Sequence, residues 1–355
     1  MPSEPTFHGP DTETVQPWER LAAYLAAHGL SFDHGRRPRQ FLSGMANLNY
    51  LIGLDGTPRV LRRPPAGPLP PGAYDMRREH RILSVLWQAF PLAPRSFLFC
   101  PDEAVLGAPF FIMEYRPGIV VSDRLPEALL AASDPGGRLT RMMVETLVAL
   151  HAVDTERLGL SDFGRPEGFV KRTVEGWSKR AALAVGGSLS PVAQEIADWL
   201  ATHLVPERDT ALLHNDYKLN NMILDPATFD PIAVLDWDQG TRGEPLFDFA
   251  TFLSYWIEPG DPPALHEVGQ MPTAKHPSFP RRTDVVALYG RLSGRDVSDF
   301  LFHRVLGMFK LCVIFIQLAQ RFREGRTKDP RFTSLEETSK GLLAFTHDIA
   351  MGRVF

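Results

Sequence analysis

Short extended apolar runs fill the first third of the chain, and long helical periods fill the rest. Residues 41–54 and the run Arg59-Val60-Leu61-Arg62 flank Asp55-Gly56-Thr57-Pro58. Two extended runs about an Asp-Gly turn predict a β-hairpin. Residues 96–100 and 109–115 predict two more strands. Residues 18–28 predict a helix with Gly29 as its stop. A second helix starts at Asp75, a suitable N-cap, and runs to about Trp87. The Pro/Gly-rich stretch 64–72 reads as an exposed loop.

From about Asp123 the period lengthens. Helices are predicted over residues 137–151, 169–185, 191–204, 245–255, 284–292, 296–323 and 335–351. Three short apolar runs, at 211–213, 222–224 and 232–235, interrupt them as strands. The pattern therefore predicts an α+β chain in two lobes. A small β-rich N-terminal lobe covers residues 1–116, and a larger, mainly helical lobe covers 117–355.

Composition narrows the class. The 355 residues carry a net charge of −4, so no broad positive field favours nucleic acid or an anionic membrane. The most apolar stretch, 300–318, contains His303, Arg304 and Lys310, which predicts a packed core helix rather than a membrane span. The first 19 residues show no basic start and no apolar run, so no signal peptide is expected and the location is expected to be cytoplasmic. Cys100 and Cys312 read as two reduced thiols.

The chemistry is concentrated between the short strands of the second lobe. There the chain reads Leu213-His214-Asn215-Asp216-Tyr217-Lys218-Leu219-Asn220-Asn221 and then Val234-Leu235-Asp236-Trp237-Asp238. A His-x-Asp, an Asn five residues after that Asp and a later Asp ending an apolar run form the set that phosphoryl transfer needs. Asp216 is the candidate that orients an attacking hydroxyl, and His214 is expected mainly to brace its loop. Asn221 and Asp236 are candidate Mg²⁺ ligands on the nucleotide phosphates. Asp238 is a candidate for a second metal or substrate contact, and Asp248 for a carboxylate that ties the loop. In the first lobe, Arg62 follows two apolar strand residues and Glu79 is its natural helix partner. The loop containing Ser43 and Asn47 offers backbone N–H groups to phosphates, and the strand end at Met113, Glu114 and Tyr115 offers backbone to an adenine edge. Tyr255, Trp256 and Glu258 offer an aromatic and acidic wall for a cationic substrate, but an aromatic residue in a packed helix is more often core, and that is the favoured reading of Trp256.

The chain resembles the aminoglycoside phosphotransferase and choline kinase superfamily, which shares the bilobal protein-kinase-like fold. The segment from His214 to Asn221 and Leu235-Asp236-Trp237 carry the match. It looks most like a bacterial subgroup related to the kinase-like domain fused to some acyl-CoA dehydrogenases. Val60-Leu61-Arg62-Arg63-Pro64-Pro65, Gly243-Glu244-Pro245-Leu246-Phe247-Asp248 and Trp256-Ile257-Glu258-Pro259-Gly260-Asp261-Pro262 support this.

The resemblance implies ATP- and Mg²⁺-dependent phosphorylation of a hydroxyl on a small molecule, with Asp216 as base. It implies Asn221 and Asp236 as metal ligands and Met113, Glu114 and Tyr115 as an adenine-binding hinge. Lys218 occupies the position from which protein kinases steady the γ-phosphate. Two residues depart from the pattern: Asn215 stands where aminoglycoside kinases commonly have Gly, and Arg62 stands where the superfamily has Lys. The subgroup points towards hydroxyacyl compounds or their CoA esters as acceptors, and towards a functional link with an acyl-CoA dehydrogenase. The alternatives are an aminoglycoside or choline-like acceptor, a nucleotide- or acyl-CoA-binding pseudoenzyme acting as a regulatory partner, and a hydrolase with metal on His214, Asp216, Asp236 and Asp238.

Overall fold

The computed structural model describes residues 5–42, 47–65, 74–325 and 333–355. Its elements in chain order are α1 (Trp18–Ala27), β1 (Arg39–Gln40), β2 (Leu48–Leu54), β3 (Thr57–Arg63), α2 (Met76–Leu83), β4 (Ser96–Cys100), α3 (Glu103–Leu106) and β5 (Phe110–Glu114). There follow α4 (Glu127–Leu130), α5 (Pro135–His151), α6 (Phe169–Ala184), α7 (Pro191–Thr202), β6 (Ala211–Leu213), β7 (Met222–Leu224), β8 (Pro231–Val234) and β9 (Thr241–Gly243). The chain ends in α8 (Pro245–Ser254), α9 (Pro263–His266), α10 (Arg282–Ser293), α11 (Phe300–Arg323) and α12 (Leu335–Ala350). This is the α+β, protein-kinase-like class.

The chain divides into two compact units. The first comprises Met1–Val120 and Asn221–Gly240, the second Val121–Asn220 and Thr241–Phe355. The sequence places one boundary, at 116/117. By compactness the segment Asn221–Gly240 groups with the N-terminal part of the chain instead of with the helical stretches that flank it.

In the first unit an antiparallel sheet runs in the order β1-β2-β3-β5-β4. Asp55 and Gly56 both take positive φ, 49° and 71°, the conformation of a type I′ hairpin turn, so the Asp-Gly signal is met. Leu21 and Leu25 of α1 pack on Tyr50, Ile52, Leu61, Phe110 and Ile112 to form the unit's core. Asp75 caps α2 by accepting from the Arg78 N–H at 3.1 Å. That helix stops at Leu83, short of the predicted Trp87. The Trp87 indole N–H turns back to cap the Ser84 carbonyl at 3.0 Å. β7 and β8 form a second antiparallel pair, and Ile119 bridges to Leu224. A Cβ on Gly118 would lie 2.6 Å from the Leu224 carbonyl oxygen, so only glycine permits this approach. Most of the predicted 64–72 loop lies outside the described residues.

In the second unit α11 packs against α6, α8 and α12. It is long and apolar enough to cross a membrane, yet 72% of its most apolar window is buried within the protein, as for a core helix. It starts at Phe300, four residues later than the pattern predicts, because the Asp296 side chain accepts from the Ser298 N–H at 2.9 Å and holds a turn there. α10 begins at Arg282, earlier than predicted, where Glu258 accepts from the Arg282 N–H at 2.6 Å. β9, Thr-Arg-Gly, pairs with β6 and carries no apolar pattern that would have announced it.

Candidate active site

The second unit builds the Asp216 loop from below. β6 ends at Leu213, and the next two backbone N–H groups, of His214 and Asn215, both donate to the Asp248 carboxylate at 2.7 Å. Asp248 lies fully buried in the first turn of α8, where the helix dipole favours an anion. His151 contacts the same carboxylate through Nε2 at 3.2 Å, and the Tyr289 hydroxyl meets its other ring nitrogen, Nδ1, at 2.8 Å. Burial opposes the Asp248 charge, but the His151 hydrogen bond and the nearby His214 hold its carboxyl below the usual range. Asp248 thus ties the loop.

Asn215 adopts φ 62°, in the left-handed region. Glycine enters that region freely, and Asn is among the few other residues that tolerate it. This accounts for Asn at a position where related kinases commonly carry Gly. The Asp216 N–H donates to His214 Nδ1 at 3.2 Å, so the imidazole braces the backbone and keeps its own proton on Nε2. Tyr217, fully buried, donates its hydroxyl to the Met143 carbonyl at 2.8 Å and anchors the turn.

The Asp216 carboxylate stays partly exposed, at 15%. Lys218 donates to its Oδ2, and the Tyr255 hydroxyl lies 3.4 Å from its Oδ1. The Lys218 ammonium also sits 5.1 Å above the Tyr255 ring. Burial, with Asp216 alongside, pushes the Tyr255 phenol well above its ordinary value, so it stays protonated and a donor. His214, Asp216 and Lys218 are therefore brought together, and Tyr255 joins them.

The first unit assembles a second cluster. The Arg62 Nε donates to Glu79 Oε2 at 2.9 Å, and its Nη2 pairs with Asp236. Burial works against the Arg62 charge, but Glu79, Asp236 and Asp238 hold the guanidinium above its already high range. Glu79 also accepts from the Trp237 backbone N–H at 3.3 Å, which draws the stretch after β8 onto α2. Asp236 adopts φ 69°, a strained conformation for a residue other than glycine. The Leu235 N–H donates to the Asn221 carbonyl at 2.8 Å, so Asn221 and Asp236 leave from the same end of the β7–β8 pair. An amide oxygen and a carboxylate are hard donors, and the set fits Mg²⁺.

The remaining expectations divide. Asn47 is buried; Ser43 and the loop up to Asn47 lie outside the described residues. Met113 pairs with Val60, and Glu114 ends β5 opposite Arg59 with its carboxylate 2.9 Å from Arg116. Tyr115 follows, its ring 6.2 Å from Phe41. The aromatic and acidic wall does not form as drawn. Trp256 is fully buried with its indole N–H on the Pro280 carbonyl, and Glu258 is paired with Arg282. Among the described residues, no three His, Cys, Asp or Glu side chains gather as a metal-ligand set. Sequence reasoning missed Lys310, whose ammonium donates to the Asn215 carbonyl. The available signal was a lysine inside the most apolar helix.

The profile of the family described as "Phosphotransferase enzyme family" matches residues 37–282. "Acyl-CoA dehydrogenase family member 11" of Gallus gallus is 33% identical over 290 residues, covering 78% of this chain and 35% of the relative. "Acyl-CoA dehydrogenase family member 10" of Mus musculus is 33% identical over 259 residues, covering 70% of this chain and 24% of the relative. The chain thus spans about a third or less of these relatives' length. Among solved structures, a Ralstonia eutropha protein described as an aminoglycoside phosphotransferase superposes with TM-score 0.75 at 26% identity, covering 95% of this chain and 99% of that one. An ethanolamine kinase of Plasmodium vivax shares the fold, with TM-score 0.57 at 12% identity and coverage of 90% and 82%.

Proposed function

We propose that this chain, which belongs to the phosphotransferase enzyme family, is an ATP- and Mg²⁺-dependent kinase that phosphorylates a hydroxyl on a small, negatively charged acceptor, a hydroxyacyl compound or its CoA ester. The surround of Asp216 carries this reading. The carboxylate is partly exposed, its backbone is held on Asp248, and Lys218 and Tyr255 address its two oxygens. Such a group can take the hydrogen bond, and then the proton, of an acceptor hydroxyl as the phosphoryl group arrives. Lys218, beside Asp216, would steady the transferring phosphate when the nucleotide is bound. Arg62 would meet the nucleotide phosphates, with Glu79 setting its direction. Asn221 and Asp236 would hold Mg²⁺, which neutralises charge on the phosphates when bound.

The preference for an anionic acceptor follows from the charges in the second unit. Lys218 and the exposed Arg180 are cations on the loop's side of the unit, with Arg180 stacked at 4.6 Å on the half-exposed Trp177. The acids that a cationic acceptor would need, Glu258 and Asp261, are committed to Arg282. Relatives named as acyl-CoA dehydrogenases support an acyl acceptor and a functional link to such a dehydrogenase.

The test is ADP release from Mg·ATP with hydroxy acids, hydroxyacyl-CoAs, choline, ethanolamine, sugars and aminoglycosides, using Asp216→Asn as control. Turnover of the anionic hydroxy compounds that vanishes in Asp216→Asn is the expected result. Turnover of the cations alone would overturn the acceptor class. ADP release that is unchanged in Asp216→Asn would overturn the mechanism.

A further inference from the structure

One buried charge has no part in the chemistry described so far. Lys310 lies on α11 and is 3% exposed. An ammonium is costly to bury unless it is paired. Its hydrogen-bond acceptor is the Asn215 carbonyl, with the rings of Phe247 and Trp177 at 5.5 and 5.9 Å. The close packing of α11 on α8 delivers it there. A Cβ on Gly307 would lie 2.7 Å from the Ala250 carbonyl oxygen, so a larger residue would push the helices apart. Lys310 follows one turn later.

The carbonyl it meets belongs to the same peptide group as the Asp216 N–H, which donates to His214 Nδ1. That peptide is therefore gripped at both poles. The preceding N–H, of Asn215, is gripped by Asp248. A loop held at successive peptides has little freedom left to redirect the side chain that follows.

We infer that Lys310 is a positioning residue that locks the Asn215–Asp216 peptide and thereby aims the Asp216 carboxylate. The inference rests on the catalytic role proposed above for Asp216. The charged and titratable groups around Lys310 are Asp216 and Lys218 from the loop, Asp248 from α8 and Tyr255 at its end, and Arg180 from α6. Burial pushes the Lys310 ammonium down to about 8, against the pull of Asp216 and Asp248. The lock is at full strength below that pH and slackens above it.

The first test needs no acceptor. Full-length protein is labelled with ¹⁵N-aspartate, and the Asp216 amide is assigned by its loss in Asp216→Asn. Between about pH 7 and 9 that amide should titrate in the wild type and stay still in Lys310→Met. An amide that does not move, or that moves identically in Lys310→Met, overturns the inference. The second test uses an acceptor found in the panel. Lys310→Met should lower kcat on the order of tenfold, leave KM for ATP unchanged and abolish the alkaline fall of activity. Lys310→Arg should recover part of the rate. An unchanged kcat in Lys310→Met overturns the inference even if the kinase reading stands. Should the wild type prove inactive, the kinase reading falls and the amide titration still decides the lock.

Discussion

The guanidinium of Arg62 pairs with the Asp236 carboxylate 174 residues further along the chain. It binds Glu79 at the same time, through a different nitrogen. A lysine has one compact ammonium, whereas the planar fork of arginine can face two carboxylates in fixed directions. The departure from the superfamily lysine is thus a way to tie α2 and the end of β8 to one side chain.

Arg62→Met should leave the fully buried Glu79 without its cation. Removing one partner of a buried pair costs roughly 3–5 kcal/mol. Arg62→Met with Glu79→Met should recover most of that loss. Urea unfolding of the four proteins of the cycle measures it, and a double variant no more stable than Arg62→Met would contradict the pairing.

At Asn215 the backbone, not the side chain, sets the requirement. Asn215→Gly should fold as well as the wild type and keep its turnover within about threefold, since φ 62° is open to glycine. Asn215→Val should lose roughly 1–2 kcal/mol from the left-handed conformation, and activity with it. Thermal unfolding and ADP release, measured on both, check the ordering.

His303 gives the fold an acid-side weakness. Burial pushes its imidazole down from 6.5 to about 4. Between those values the unfolded chain takes up a proton that the folded one refuses. Stability must therefore fall as pH drops from 6.5 to about 4, by up to roughly 3 kcal/mol. His303→Leu should flatten this part of the profile, which urea midpoints at a series of pH values will show.

Lys310 acts on the alkaline side with a slope of the same sign. Its folded value is about 8 against 10.5 for the ordinary side chain. In that window the unfolded chain again binds the extra proton, so stability rises with pH, by roughly 3 kcal/mol relative to Lys310→Met. Activity, if the peptide lock holds, falls over the lower part of the same range. The divergence of the two curves, one from unfolding and one from turnover, separates a positioning role from a loss of fold.

The sequence announces the residues whose neighbours in the chain share their task. Asp55-Gly56 fixes its hairpin locally, and the segment from His214 to Asp238 spells out its chemistry in one stretch. It is silent where a partner comes from far away. Nothing near Thr241 predicts that three residues will pair with β6, because the stabilising contacts are backbone bonds to a strand 30 positions earlier. Trp256 is read in sequence as more often core than binding aromatic, and it is core, but its indole N–H partner, the Pro280 carbonyl 24 positions on, is not legible there. Lys310 is visible only as an oddity in an apolar helix until the fold shows which carbonyl it reaches.

The assignment of Asn221–Gly240 to the compact unit of Met1–Val120 bears on how this gene can be cut and joined. A fragment stopping at residue 120 would lack β7 and β8, which belong to its own unit, and the remainder would carry those strands without the sheet they group with. Neither half could be moved between proteins by one recombination event.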